Sequence, residues 1–208
     1  NKKGVLDLCK NRSFVRKTGI PSKSLEGFLF PDTYFFHEDD SPENVLTQII
    51  EEYQKNISDD LRTRADEMGF SELEMITLAS IIEGEAIYDT ERSIISAVYH
   101  NRLKLGMKLQ ADPTIQYIIK DSPRRLLNRD LKIDSPYNTY LYDGLPPGPI
   151  NNPGKASILA ALYPDENDYL FFVARGDGYH TFSKTREEHN RAKKAFQKVR
   201  RKHRNKRG

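Results

Sequence analysis

Between Ser71 and Ala86 the chain reads SELEMITLASIIEGEA, and few conformations accommodate that stretch. Ser71 followed by Glu74 three residues later is a capping box, which fixes a helix start. From Leu73 to Ile82 the residues are apolar or small on nearly every side, the pattern of a helix enclosed by its own core rather than laid on a surface. Two carboxylates, Glu83 and Glu85, end it, where an acid is costly to bury. On a helical wheel Leu73, Ile76, Ala79, Ser80 and Glu83 share one side, and Met75, Leu78, Ile81, Ile82 and Glu85 the other. Glu83 leans over Ala79 and Ser80, whose small size leaves space for a ligand; Glu85 leans over two isoleucines. In an apolar surround a carboxyl is held in its neutral form, its pKa rising from about 4.3 toward about 6, and a neutral acid can protonate a leaving oxygen. The competing reading is that both glutamates end the helix exposed, or pair with a basic residue such as Arg92 or Arg102.

Other helices mark their own ends. SPENVLTQIIEEYQKNI opens on Ser41 as N-cap with Pro42 in the first turn and sets Val45, Ile49 and Tyr53 on one stripe. A second runs from a Ser58 cap to Gly69, and ERSIISAVYHNRLKLG stops at Gly106. DPTIQYII is a short helix with Asp112 as cap and Pro113 at its first position, and NPGKASILAALYP another bounded by prolines. NDYLFFVARGDGYHTFS reads as two strands about a turn, and SKTREEHNRAKKAFQKV as a final helix. SPYNTYLYDGLPPGPINNPG holds five prolines and three glycines in twenty residues, too many for regular structure. The predicted class is α+β, mainly helical with a small antiparallel hairpin.

Charge divides the chain. Of its 33 Lys and Arg and 30 Asp and Glu, residues 191–208 carry ten basic and no acidic, leaving 23 against 30, a net of −7, in the remaining 190. The tail could touch an acidic polymer, yet the acidic body and the lack of interleaved basic and aromatic residues speak against nucleic acid. A solvated, disordered extension over residues 193–208 is expected. One cysteine, Cys9, excludes an internal disulfide framework. No apolar run reaches the roughly 20 residues that span a bilayer. The five histidines lack metal spacing, and no phosphate loop or serine elbow is present, so no metal and no cofactor are expected.

Further polar residues gather near aromatics. LEGFLFPDTYFF sets Glu26 and Asp32 among Phe28, Phe30, Tyr34, Phe35 and Phe36; aromatic faces beside carboxylates suit carbohydrate, and a core under a loop explains them nearly as well. LQADPT offers Gln110 and Asp112, and SPYNTY offers Tyr137, Asn138, Thr139 and Tyr140.

Taken together and in order, LEGFLFPDTY, LASIIEGEA, NRL, GMKLQADPT, SPYNTY, GLPPGPINNPG and HTFSKTREEHN resemble the catalytic domain of the endolytic murein transglycosylases, bacterial envelope enzymes that cut peptidoglycan glycan strands. The resemblance spans about Leu25 to Ala192. It implies a catalytic domain over residues 25–192, with residues 1–24 a linker or the remnant of a LysM-like subdomain. It implies that Glu83 is the catalytic acid, that Glu26, Gln110, Asp112, Tyr137, Asn138 and Thr139 line the substrate cleft, and that Glu85, Tyr34 and Asn152 support it. The implied substrate is the MurNAc-β-1,4-GlcNAc bond within a strand, left as a 1,6-anhydro end. Cell-wall synthases are the implied partners, and the parent protein is expected to be anchored in the cell membrane by a segment outside these residues, with this domain on the outer, periplasmic side. A domain that binds glycan and recruits synthases without cutting is the alternative. Two positions depart from the family pattern: Gly84, often Lys, and Ala111, often Ser or Thr.

Overall fold

The computed structural model describes residues 2–205. The apolar stretch forms the central helix of the protein, and the other elements are best placed by how they meet it. In chain order the helices are α1 (Lys2–Cys9), α2 (Arg12–Lys17), α3 (Pro42–Asn56), α4 (Asp59–Glu67), α5 (Glu72–Glu85), α6 (Asp89–Lys104), α7 (Asp112–Ile118), α8 (Lys155–Leu162) and α9 (Arg186–Asn205). Strands β1 (Phe171–Ala174) and β2 (His180–Ser183) lie between α8 and α9. They pair antiparallel, Phe171 opposite Ser183 and Ala174 opposite His180. The class is α+β, as the sequence predicts.

Helix α5 starts with the capping box: the Glu74 N–H donates to Ser71 Oγ, and Glu74 Oε2 accepts from the Ser71 N–H at 2.9 Å. Every residue from Met75 to Ile82 is buried, because α4, α6, α7 and α8 pack around it. The commonest contact is with α8, another helix that is apolar nearly all round, with Ser157, Ile158, Ala160, Ala161 and Leu162 buried. Small residues on both let the two axes approach closely.

The N-terminal residues join the same core rather than standing apart from it: Val15 and Ile20 belong to the buried cluster that contains α5, and α1 packs on α3. On α3 the Ser41 cap forms as predicted, but the buried stripe is Leu46, Ile50 and Tyr53, leaving Val45 and Ile49 half-buried. Tyr53 decides that rotation, since its ring stands edge-on to buried Phe28 and its hydroxyl reaches Glu72 at 2.7 Å. The aromatic run around Phe28 divides accordingly: Phe28 and Phe30 enter the core, whereas Phe35 and Phe36 are exposed.

The hairpin is tied to α6. Buried Glu91 accepts from the His180 backbone N–H at 3.0 Å and lies 2.9 Å from its Nδ1, and Tyr88 stacks on Tyr179 with centroids 4.2 Å apart. Helix α9 covers the hairpin and continues through the basic run to Asn205, so residues 193–205 are helical where the sequence predicts a disordered extension. The physical reason is that this run lacks Gly and Pro, is rich in Lys and Arg, and places its cations toward a helix C-terminus. Residues 206–208 of that extension lie outside the described residues.

Candidate functional site

The proline- and glycine-rich segment from 135 to 154 is held against α5 by side chains that use its small residues. Ser80 Oγ accepts the Ile150 N–H at 3.1 Å, and Asn151 Nδ2 donates to the Ser80 carbonyl at 2.8 Å. The space beside Ala79 and Ser80, expected to admit a ligand, is therefore filled by this segment. One residue further, Asn152 Oδ1 accepts the N–H groups of Gly27 and Leu29, at 2.8 and 3.2 Å, and so clamps LEGF to NNPG. Asn152 thus joins two segments 125 positions apart in the chain. Tyr34 does a similar local job, donating to the Phe30 carbonyl at 2.6 Å and stacking on Phe36.

The two glutamates at the end of α5 turn to different neighbours. Glu83 faces the start of α8: its Oε2 accepts from Ser157 Oγ at 2.8 Å, the Gly154 N–H at 3.2 Å and Arg92 Nη1 at 3.2 Å. Its side chain is 32% exposed, and among the described residues no donor reaches Oε1. The surround is polar, which corrects the expectation of an apolar one and matches the competing reading in which Glu83 pairs with Arg92. Glu85 faces α6 and α7 instead, accepting from the Tyr99 hydroxyl at 3.0 Å. Burial pushes its carboxyl up to about 7, with the charge of Asp112 adding to the effect and the Tyr99 hydroxyl, the Asp112 N–H and Arg102 opposing it. The desolvated acid foreseen for Glu83 is therefore Glu85.

This has a measurable consequence. The unfolded chain releases the Glu85 proton near an ordinary carboxylate value and the folded chain only near 7, so between these the folded state binds more protons and stability falls as pH rises. The groups facing it are Tyr99 and Arg102 from α6, Asp112 from α7 and Tyr140 beyond Asp112. Glu85→Gln is expected to remove up to about 3 kcal/mol of that decline. Denaturation curves across pH 4 to 8 check it; wild type and variant with parallel stability profiles would rule it out.

Asp112 opens α7 as its first residue, with Ala111 as N-cap and no side-chain cap bond, so it does not cap the helix as predicted. Its Oδ1 is taken by the Tyr140 hydroxyl. Gln110, just before, is exposed and has φ +48, a left-handed conformation for a residue with a side chain. Its N–H is bonded to the Thr139 carbonyl at 3.0 Å, which pins that turn. Glu85 and Asp112 both line two open cavities. The first, about 520 Å³, is lined also by Gly84, Pro113, Tyr117 and Asn151; the second, about 380 Å³, by Gln110, Tyr140, Arg102 and the α9 residues His189 and Lys193.

Glu26 and Tyr137 line another cavity, of about 770 Å³, beside Pro147 and Pro149. They meet through Tyr117, whose hydroxyl donates to Glu26 Oε2 at 2.8 Å and whose ring tilts on Tyr137 with centroids 4.9 Å apart. Asn138 and Thr139 lie elsewhere than expected: both are buried. Asn138 Nδ2 donates to the Leu131 and Ile133 carbonyls and its Oδ1 accepts the Tyr140 N–H, while Thr139 Oγ1 accepts the Ala111 N–H at 3.0 Å and meets Thr114 Oγ1 at 2.9 Å. Their polar groups shape the loop that carries Tyr137 and Tyr140. The residues around Glu83 and Ser80 that sequence reasoning missed are Ser157, Gly154 and Asn151. The proline of NPG is visible as a helix boundary, but nothing local shows that this boundary meets Glu83.

The YceG-like family model matches residues 2–195. A Bacillus subtilis (strain 168) protein named endolytic murein transglycosylase is 42% identical over 198 residues, which is 94% of this chain and 53% of that protein. A protein of the same name from Streptococcus pneumoniae serotype 2 is 32% identical over 173 residues, covering 80% of this chain and 31% of that one. The chain thus spans about half the length of the Bacillus relative and about a third of the Streptococcus one. The crystal structure of the yceG-like protein lmo1499 from Listeria monocytogenes superposes with a TM-score of 0.82 at 38% identity, covering 92% of this chain and 66% of that one. With the matched family model running almost from end to end, the chain belongs to the YceG-like family.

Proposed function

We propose that this domain is an endolytic lytic transglycosylase acting on peptidoglycan glycan strands, with Glu83 as its catalytic acid and base. The names of its relatives support the activity and substrate class. The observation that carries the residue assignment is that Glu83 is held by three donors on one oxygen only, with its side chain about one-third exposed.

In the proposed reaction, protonated Glu83 gives its proton to the GlcNAc O4 as the bond from MurNAc C1 to that oxygen breaks, and positive charge develops at C1. The Glu83 carboxylate then takes the proton of the MurNAc 6-hydroxyl as O6 bonds to C1. The products are a GlcNAc 4-hydroxyl and a 1,6-anhydro-MurNAc end; the acid is restored and no water is consumed. A single carboxylate serves both steps because the nucleophile belongs to the substrate, so the paired-carboxylate spacing of ordinary glycosidases is not required. Glu26, Tyr117 and Tyr137 offer a hydrogen-bonding and aromatic wall suited to sugar faces. We further place the domain on the outer face of the cell membrane, where such cuts would end or release nascent strands beside the synthases. Among the described residues no helix is long and apolar enough to cross a membrane.

A second reading has an observation in its favour: the desolvated carboxyl of Glu85, up to about 7, is suited to carry a proton near neutrality. The test is digestion of purified glycan strands, followed by mass analysis of the new ends. Anhydro ends from wild type support the reaction class; reducing ends indicate a hydrolase, and uncut but bound strands a scaffold. Anhydro ends from Glu85→Gln but not Glu83→Gln assign the proton transfer to Glu83.

A further inference from the structure

The three donors on Glu83 are themselves held in place. Arg92 Nη1, besides reaching Glu83, donates to Ser157 Oγ at 2.5 Å, and Arg92 Nε donates to Asp89 Oδ1 at 2.8 Å. The Ser157 hydroxyl, 0% exposed, thus spends its only hydrogen on Glu83 and receives one from Arg92. Arg92 is 12% exposed along its side chain, so this small circuit is largely shielded from water. Gly154 is the N-cap of α8 and Ser157 lies in its first turn, where the helix end favours a negative partner. The charged groups facing Glu83 are Arg92 and, behind it, Asp89 from α6; α8 presents the Gly154 N–H and the Ser157 hydroxyl, and Glu85 on the same helix turns away to Tyr99.

We propose that Arg92 and Ser157 are positioning residues for the proton transfer: they bind Oε2 of Glu83 and thereby make Oε1 the oxygen that gives and takes the proton. This rests on the transglycosylase reading above. A neutral carboxyl with its hydrogen on Oε1 still presents Oε2 as a carbonyl oxygen to all three donors, so the rotamer is the same in both protonation states. When the proton leaves, the new charge meets a cation and two dipoles already in place, and nothing needs to reorganise. Arg92 suits this because a guanidinium is planar and permanently charged, and can reach Glu83, Ser157 and Asp89 at once.

The experiment compares Arg92→Gln, Arg92→Lys and Ser157→Ala on purified glycan strands, measuring release of anhydro ends against strand concentration, with thermal melting of each variant. Arg92→Gln is expected to lower kcat about a hundredfold with KM little changed. Arg92→Lys restores part of kcat, because the charge returns without the fork. Ser157→Ala lowers kcat by less, with KM again little changed. A folded Arg92→Gln that keeps its full kcat, or that loses turnover and binding together with no rescue by Arg92→Lys, overturns the proposal. If Arg92→Gln does not fold, the same two readouts on Arg92→Lys and Ser157→Ala decide. Should Glu83→Gln still make anhydro ends, the assignment to Glu83 falls and this inference with it. An inactive Glu83→Gln beside an Arg92→Gln with wild-type kcat removes only the positioning role.

Discussion

Glu83→Gln is expected to melt like the wild type and to form anhydro ends between about a hundred and ten thousand times more slowly, the range over which a positioned acid–base group contributes. The fold survives because a glutamine can turn its carbonyl oxygen to Ser157, Gly154 and Arg92, the donors that now hold Oε2. What it cannot do is give up a proton to a leaving sugar oxygen or take one from a 6-hydroxyl. Strand binding by the variant, measured separately, is expected to stay near that of wild type, which separates lost chemistry from lost recognition. The comparison with Glu85→Gln is decisive because the two side chains sit two residues apart yet bind different partners, Ser157, Gly154 and Arg92 for Glu83 and Tyr99 for Glu85. A Glu83→Gln protein that cuts at wild-type rate would remove Glu83 from the reaction and leave Glu85 as the candidate acid.

Gly27→Ala is expected to cost about 2 to 5 kcal/mol, from a left-handed backbone that disfavours a side chain and from overpacking. Gly27 has φ +90, and a Cβ there would stand 2.2 Å from Pro149 Cγ and 3.0 Å from Ile76 Cγ2. Neither neighbour can yield easily, since Pro149 is a ring in the segment pinned to Ser80 and Ile76 is fully buried in α5. A cost of that size is a large fraction of the stability of a typical domain. Chemical denaturation of the pure variant measures it, and a change within about 0.5 kcal/mol, the range of ordinary surface substitutions, would mean that the loop gives way. The same substitution is expected to weaken catalysis indirectly, because the clamp between Gly27 and Asn152 holds the segment that leads to Gly154.

Much of the fold was legible because its signals are local. The Ser41 cap, the Ser71 capping box, the glycine stops after α4 and α6 and the hairpin around Gly176 and Gly178 all depend on residues within a few positions of one another. The face of α3 was misread by one residue because Tyr53 chooses its side through Phe28 and Glu72, which lie 25 and 19 positions away. The resemblance implies that Asn138 and Thr139 line the cleft, yet polar residues in a proline-rich loop can serve either a ligand or the loop itself. Burial, which is a property of the assembled chain, assigns them to the loop.

The site divides along the same line. Helical geometry alone placed Glu83 and Glu85 on opposite flanks of α5, since residues two apart on a helix point in nearly opposite directions. Which of them is desolvated was decided by tertiary structure, and in the opposite sense to the sequence argument. The partners that set it, Ser157 at 74 residues from Glu83 and Gly154 at 71, are brought there by the packing of α8 on α5. A side chain's own neighbours determine the direction in which it leaves the helix. Its electrostatic surround depends on which distant helix end arrives there, and only the completed core determines that.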